Sequence, residues 1–339
     1  MVVLLSLVAC TDDTEYTAGV WYRRSDFDGV ARTDAAGFTI GNTGYLCTGY
    51  RGSTKDRLKD CWAYDIEANS WTQCASMDEA PARNAATGFA IGTKGYIATG
   101  YDATKKDYLN DCWEYDPATN SWREMASIPD GTGGTNIYGK RYYALSFGIG
   151  QYGYLGTGYN DNYQKDFWRL DPSVGDKGEW TPVSGFGGQK RMGGMAFVID
   201  DIAYICGGEN NGTDVTDFWC FNPATNTWKE LRELYNKSDD DYDDDYTSIV
   251  RTYGCAFVID GKGYITLGQS GSSYRSNYWI YDPLTDLWDG EDLTDFEGST
   301  RTKAVCFSTG KRGIIATGGA STYYYDDTWE LKPYEYEEK

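Results

Sequence analysis

Six arginines recur in this chain, each six residues ahead of a phenylalanine. The pairs are Arg32 and Phe38, Arg83 and Phe89, Arg141 and Phe147, Arg191 and Phe197, Arg251 and Phe257, and Arg301 and Phe307. A guanidinium offers paired N–H donors in a rigid plane that matches a carboxylate. Six of them at one repeated position describe either a cationic ring that grips a ligand's carboxylate or six structural pairs to acidic or carbonyl groups of the neighbouring repeat. A second group combines rings with neutral polar groups: Tyr50, Tyr101, Tyr159, Asn210 and Gln269, beside Arg51, Asp102, Asn160, Asp161, Tyr323 and Tyr324. Tyrosine couples rigid stacking area to a hydroxyl, which suits sugars and peptides. Glu209 adds a carboxylate that can act as general acid or base if an arginine stands beside it. The 339 residues include no histidine. Ser-His-Asp and Cys-His nucleophile systems are therefore excluded, as are His-ligated zinc, copper and iron centres. Any catalysis would have to run on carboxylates, Tyr, Lys, Arg or Cys. No cofactor is called for.

The elements that must position these residues follow from the same periodicity. Seven residues after each Phe stands Tyr45, Tyr96, Tyr154, Tyr204, Tyr264 or Ile314, and four further on comes Gly49, Gly100, Gly158, Gly208, Gly268 or Gly318. A tryptophan follows (Trp62, Trp113, Trp168, Trp219, Trp279, Trp329), and two residues before it stands Asp60, Asp111, Asp166, Asp217, Asn277 or Asp327. A second tryptophan closes five of the units: Trp71, Trp122, Trp180, Trp228 and Trp288. A repeat of about 50 to 60 residues with short apolar runs and Asp-Pro or Asn turns reads as four strands, A to D, per unit. The sixth unit lacks its second tryptophan. Trp21 precedes Arg32 by the spacing that separates Trp180 from Arg191. Residues 20–22 are therefore expected to form the outer strand of the last unit and to close a ring, which leaves few free edges.

These motifs resemble the kelch-repeat β-propeller family: the start arginine, the strand-B glycine, the Tyr-Asp turn and the strand-D tryptophan. The family's Gly-Gly pair survives only at Gly207-Gly208 and Gly318-Gly319. The resemblance implies an all-β, six-bladed propeller of four-stranded antiparallel blades, as in the central domain of galactose oxidase. That enzyme's copper chemistry needs histidine and is not available here. In kelch proteins that take acidic peptides, arginines at matching positions contact ligand carboxylates. The resemblance thus implies a ligand-binding role for Arg32, Arg83, Arg141, Arg191, Arg251 and Arg301. A sialic acid mutarotase or epimerase class shares the fold, and its chemistry would draw on Glu209 beside that ring. The leading expectation is a binding or scaffold module for a glycan, peptide or protein. Its working face would be formed by the B-to-C and D-to-A loops, because these vary in length while the A-to-B turns are constant and the C-to-D turns nearly so, Trp168 to Trp180 excepted.

Residues 1–19 read as a lipoprotein signal segment and tether, 20–333 as the propeller, and 334–339 as a charged tail. Leu7-Val8-Ala9-Cys10 resembles a bacterial lipobox, which implies lipidation at Cys10. Asp12 and Asp13 resemble the surface-export signal of Bacteroidetes lipoproteins, which implies an outer-membrane location, surface-exposed or on the periplasmic face, with the lipid as the only membrane contact. A net charge of −20 argues against nucleic-acid binding through bulk electrostatics. The acidic run 239–245 reads as a solvated charge run, and calcium uptake there is the weaker reading. The Gly-rich stretch 131–134 lacks the lysine of a phosphate loop. The eight cysteines beyond Cys10 show no CxxC spacing; most lie in strands and are expected as buried thiols, with pairing of some in an exported protein as the alternative, in a connectivity that spacing does not give.

Overall fold

The innermost strand of each repeat alternates. In Met195–Ile199 every second side chain is buried, and Phe197 is the central one. The next strand is different: Ile202–Cys206 is buried at every position after the first. One-faced alternation belongs to a strand with a neighbour on one side, continuous burial to a strand covered on both. Wedge-shaped sheets stacked around an axis satisfy both demands.

The computed structural model describes residues 16–130, 139–235 and 246–338, and shows six four-stranded antiparallel sheets. Blade 1 contains, from the axis outward, Ala36–Ile40 (strand A), Thr43–Cys47 (B), Cys61–Asp65 (C) and Ser70–Cys74 (D). Blades 2 to 5 repeat this order over 87–124, 145–183, 195–230 and 255–289. Each inner strand packs on the next, and that of blade 6 packs on that of blade 1. Cys10, the segment 131–134 and the run 239–245 lie outside the described residues.

The blades lock ring onto glycine. Phe38 of blade 1 lies on Gly95 of blade 2, where a Cβ would fall 2.0 Å from the ring. Phe89 lies likewise on Gly153, Phe197 on Gly263, Phe257 on Gly313 and Phe307 on Gly44. At these five places a methyl group would collide with the ring, so close approach requires glycine, whereas blade 4 carries Ala203 at the equivalent position, packed with Phe147 of blade 3. The tryptophans and tyrosines of strands C and D fill the outer part of each wedge, as where Phe38, Tyr45, Trp113 and Tyr115 meet between blades 1 and 2.

Blade 6 is built from both ends of the chain. Tyr16–Arg23 pairs antiparallel with Thr328–Glu338, with Trp21 opposite Leu331. Trp21 is 2% exposed and meets Tyr278 and Phe296 edge-on. The closing strand expected at 20–22 is therefore present. The pairing also extends to Tyr16 opposite Glu338. Hence residues 336–338, expected within the charged tail, pair with residues 16–18 and continue the strand. Between the two runs the C-terminal strand bulges, with Pro333, Tyr334 and Glu335 facing Gly19 alone.

The cysteines depart in part from the expectation of free thiols. Cys47 and Cys61, directly opposite on strands B and C of blade 1, form a disulfide. The other described cysteines are free. Among the described residues no helix is long and apolar enough to cross a membrane.

Strand exchange makes closure depend on a short terminal segment. A chain lacking residues 1–24 is expected to lose its single cooperative thermal transition, and Trp21→Ala to lose about 3–5 kcal/mol. A melting curve by circular dichroism that matches the full chain in both variants would refute closure by this strand.

Candidate functional site

The face carrying the B-to-C and D-to-A loops is assembled by one repeated contact. The residue after each Arg pairs with the residue after each strand-B Gly: Thr33 with Tyr50, Asn84 with Tyr101, Tyr142 with Tyr159, Met192 with Glu209, Thr252 with Gln269 and Thr302 with Gly319. Both loop sets therefore emerge together. The pairing places Tyr50, Tyr101, Tyr159, Glu209 and Gln269 at equivalent positions around the axis, with Asn210 one residue further.

The six arginines do not reach this face. Each is fully buried. Arg32 sends two nitrogens to the carboxylate of Asp60, at 2.6 and 2.7 Å, and also donates to the Thr48 carbonyl at 2.9 Å. Arg83 with Asp111, Arg141 with Asp166 and Arg301 with Asp327 repeat the two-pronged pairing, and Arg191 bonds Asp217. The partner is the acid two residues before the strand-C tryptophan, in the same blade and not in a neighbour. The ligand-gripping ring implied by resemblance is thus corrected: a buried guanidinium whose donors are taken has nothing to offer a ligand. Burial alone would raise the Asp60 and Asp327 carboxyls. Their arginine bonds and the positive charge outweigh it and hold both below the usual carboxylate range.

Blade 5 breaks the pattern. Asn277 replaces the acid, and among the described residues Arg251 bonds its side-chain oxygen at 3.0 Å and backbone carbonyls only. Burial, then the charge of Arg275, pushes the Arg251 guanidinium down to about 9. The indole N–H that Trp62, Trp113, Trp168 and Trp329 each give to their blade's aspartate has no partner at Trp279, nor at Trp219 of blade 4, where Asp217 is present but bonds Arg191.

The arginines position the face through their backbones. The carbonyl of each accepts from the strand-B glycine of the preceding blade, from Gly49 to Arg83 round to Gly318 and Arg32. Two residues beyond each Arg, the chain reaches the axis in the left-handed region: Asp34, Ala85, Tyr143, Gly193, Tyr253 and Lys303, with φ between 51° and 63°. Each donates its N–H to the carbonyl of the preceding one, at 2.7–3.3 Å, so six bonds close a circle. These six positions were missed in the sequence. Their signal was a fixed offset from the arginines with side chains that differ in every blade but one pair.

Their side chains floor a cavity of about 160 Å³ at the axis. The Tyr143 hydroxyl donates to Asp34, and Lys303 Nζ lies 3.5 Å from the same carboxylate, over the rings of Tyr143 and Tyr253. Tyr253 donates to Glu209 at 3.3 Å. Burial, then the Asp34 charge, holds the Tyr143 hydroxyl far above the ordinary phenol range, and burial with Glu209 does so for Tyr253. Both stay protonated donors. Glu209 thus faces a tyrosine and not an arginine of the ring, so the expected carboxylate–arginine acid–base pair is not assembled.

From the axis a band of rings runs outward. Tyr253 meets Tyr143, which meets Tyr142; Tyr142 contacts Tyr101, Tyr108 and Tyr159, and Tyr159 contacts Tyr163, all with centroids 4.6–6.4 Å apart. Arg57 stacks over Tyr50 and Tyr101, and Tyr50 meets Tyr324 edge-on. Two hollows flank the band. One lies among blades 5, 6 and 1 beside Tyr50 and Gln269, the other among Tyr159, Tyr163 and Asn210. Among the described residues no three acidic or cysteine side chains converge to hold a metal.

Comparison with known proteins agrees with this architecture. The KLHDC2/KLHL20/DRC7 Kelch-repeats domain matches residues 29–189 and the Kelch motif matches 196–234. Kelch-like protein 25 of Xenopus tropicalis is 24% identical over 264 residues, covering 76% of this chain. Kelch-like protein 23 of Mus musculus is 23% identical over 272 residues, covering 80%. The chain spans only 40–43% of those relatives' length. The solved structure of YjhT superposes with a TM-score of 0.70 at 17% identity, covering 90% of this chain and 95% of that one, which shows a shared fold.

The missing acid of blade 5 is correctable. Asn277→Asp should supply a carboxylate to Arg251 and an acceptor to Trp279, and stabilise the chain by about 1–3 kcal/mol. Urea unfolding checks this, and an unchanged or lower midpoint would show that the fork does not stabilise a blade.

Proposed function

We propose that this chain, which belongs to the kelch-repeat β-propeller family, is a binding module whose ligand lies across the loop face along its tyrosine band. The continuous run of rings from Tyr253 through Tyr143 and Tyr142 to Tyr159 carries this reading. A propeller needs rings between its blades. It does not need them joined over a loop face, where tyrosine typically serves recognition. The neighbouring hydroxyls are donors held by burial and acidic partners, so the surface is preorganised and loses little freedom on binding. The ligand can be a glycan, a peptide or a protein segment.

Parallel screening on glycan and peptide arrays tests the face. Tyr101→Ala and Tyr159→Ala should each weaken any recorded binding by about tenfold or more, the effect of removing an interface anchor. Asn42→Ala, in the exposed A-to-B turn of blade 1, should behave as the parent. Identical profiles for all three variants would move the site off this face.

The resemblance of Leu7-Val8-Ala9-Cys10 to a lipobox supports a place at the bacterial outer membrane, with a lipid on Cys10 as the tether. Cys10→Ala should shift the chain from the membrane fraction to the soluble one. Equal partition of both chains would remove the anchor from the proposal.

A further inference from the structure

The hollow among blades 5, 6 and 1 has a volume of about 320 Å³, at the lower end for a small-ligand site. Its lining is unusual in what it excludes: no aliphatic side chain and no phenylalanine contributes to it. A peptide anchor needs an apolar pocket for its buried side chain, and none is offered.

The charges in the hollow cancel. Lys303 and Asp34 are its only ionisable groups apart from tyrosines, and they face each other at 3.5 Å. Asp34 already accepts from Tyr143, and the Lys303 ammonium rests on two rings. A ligand anion would have to compete with Asp34 for that ammonium, in a chain of net charge −20.

The remaining groups are neutral and free to act. Among the described residues the Gln269 side-chain amide and the hydroxyls of Tyr50 and Tyr324 have no hydrogen-bond partner, and all three line the hollow. They are also held in place. The Tyr324 ring lies on Gly52, where a Cβ would fall 1.9 Å from it, and meets Tyr50 edge-on at 5.9 Å. Tyr274, on the blade 5 side, accepts the Ser321 N–H at 2.8 Å and so fastens the blade 6 loop to form the rim. Rigid rings, unpartnered neutral donors and acceptors, and no free charge match a molecule with adjacent hydroxyls on an apolar ring.

We infer that this hollow holds the end of a neutral oligosaccharide. The inference rests on the loop face being the binding face and names the ligand class for one end of it. Tyr50, Tyr274 and Tyr324 supply ring surface. Gln269 both donates to and accepts from neighbouring sugar hydroxyls, and the tyrosine hydroxyls complete the set.

The full chain would be probed with neutral oligosaccharides, with uronic-acid-bearing oligosaccharides as anionic counterparts and with the peptide array already described. Titration calorimetry on the best neutral hit should show about tenfold weaker binding for Gln269→Ala and for Tyr324→Ala. Their melting curves should match the parent, and Tyr324→Phe, which keeps the ring, should lose less than Tyr324→Ala. Preference for the uronic-acid-bearing set would overturn the neutral assignment. Peptide binding abolished by Tyr101→Ala and unaffected by Gln269→Ala would overturn the sugar pocket and leave the binding face standing. Absence of any sugar or peptide binding would overturn both.

Discussion

A guanidinium in a protein interior is tolerated only when its charge and its donors are met, since an unpaired buried ion costs several kcal/mol. That requirement organises this propeller. In five blades the fork is met by an aspartate of the same blade, and the aspartate is fixed in turn by the arginine and, in four of them, by a tryptophan N–H. The side-chain contact pins the point where the D-to-A loop becomes strand A. With that point fixed, three backbone contacts follow in order: the arginine carbonyl takes the preceding blade's glycine N–H, the next residue pairs with the B-to-C loop, and the one after joins the circle at the axis. The pairing itself acts within one blade. Its consequence is the alignment of every blade with the one before.

This explains which parts of the molecule could be read from its sequence. The ring of blades and its closure by Trp21 were legible because close packing imposes strict offsets: the strand-A Phe meets a Gly of the next blade at five junctions and Ala203 at the sixth, and a strand D must carry a large ring. The arginines were legible as a repeated feature but not as to their use, because a fork satisfied by Asp60 and one awaiting a ligand need the same residue. The partner was visible in the spacing, with the acid 25 to 28 residues after its arginine in every repeat that has one. The band of tyrosines was only partly legible. Tyr50, Tyr101 and Tyr159 hold equivalent places in their repeats, whereas Tyr108, Tyr142 and Tyr163 join them only once three blades stand side by side.

Asn277 shows what the repeated aspartate does by its absence. The fold accepts Asn at this place, since backbone carbonyls of Ile249, Leu267, Asn277 and Ser248 surround the Arg251 donors. What changes is the electrostatic balance. Carbonyl dipoles satisfy hydrogen bonding without cancelling charge, and the guanidinium is left with a depressed proton affinity. Blade 5 also contributes Gln269, Tyr253 and Tyr274 to the loop face. Among the described residues no aspartate side chain bonds Arg251, and the same blade supplies these residues of the hollow.

The circle at the axis separates what must repeat from what is free to vary. Its six bonds use main-chain N–H and C=O groups alone, so they do not depend on side-chain identity. They do require the left-handed region, where glycine is the unstrained choice and other residues lose about 1–2 kcal/mol. Glycine occurs at only one of the six places, Gly193. At Ala85 the extra methyl brings nothing evident from its contacts. At Asp34, Tyr143, Tyr253 and Lys303 the strained backbone carries groups that meet one another over the axial cavity, by hydrogen bond, ion pair and ring contact. Residues other than glycine also take this region at the end of strand B, at Thr48, Thr99, Thr157, Leu267 and Thr317. What sets the circle apart is that four of its six side chains converge over the axial cavity, so the repeated backbone carries a non-repeated surface.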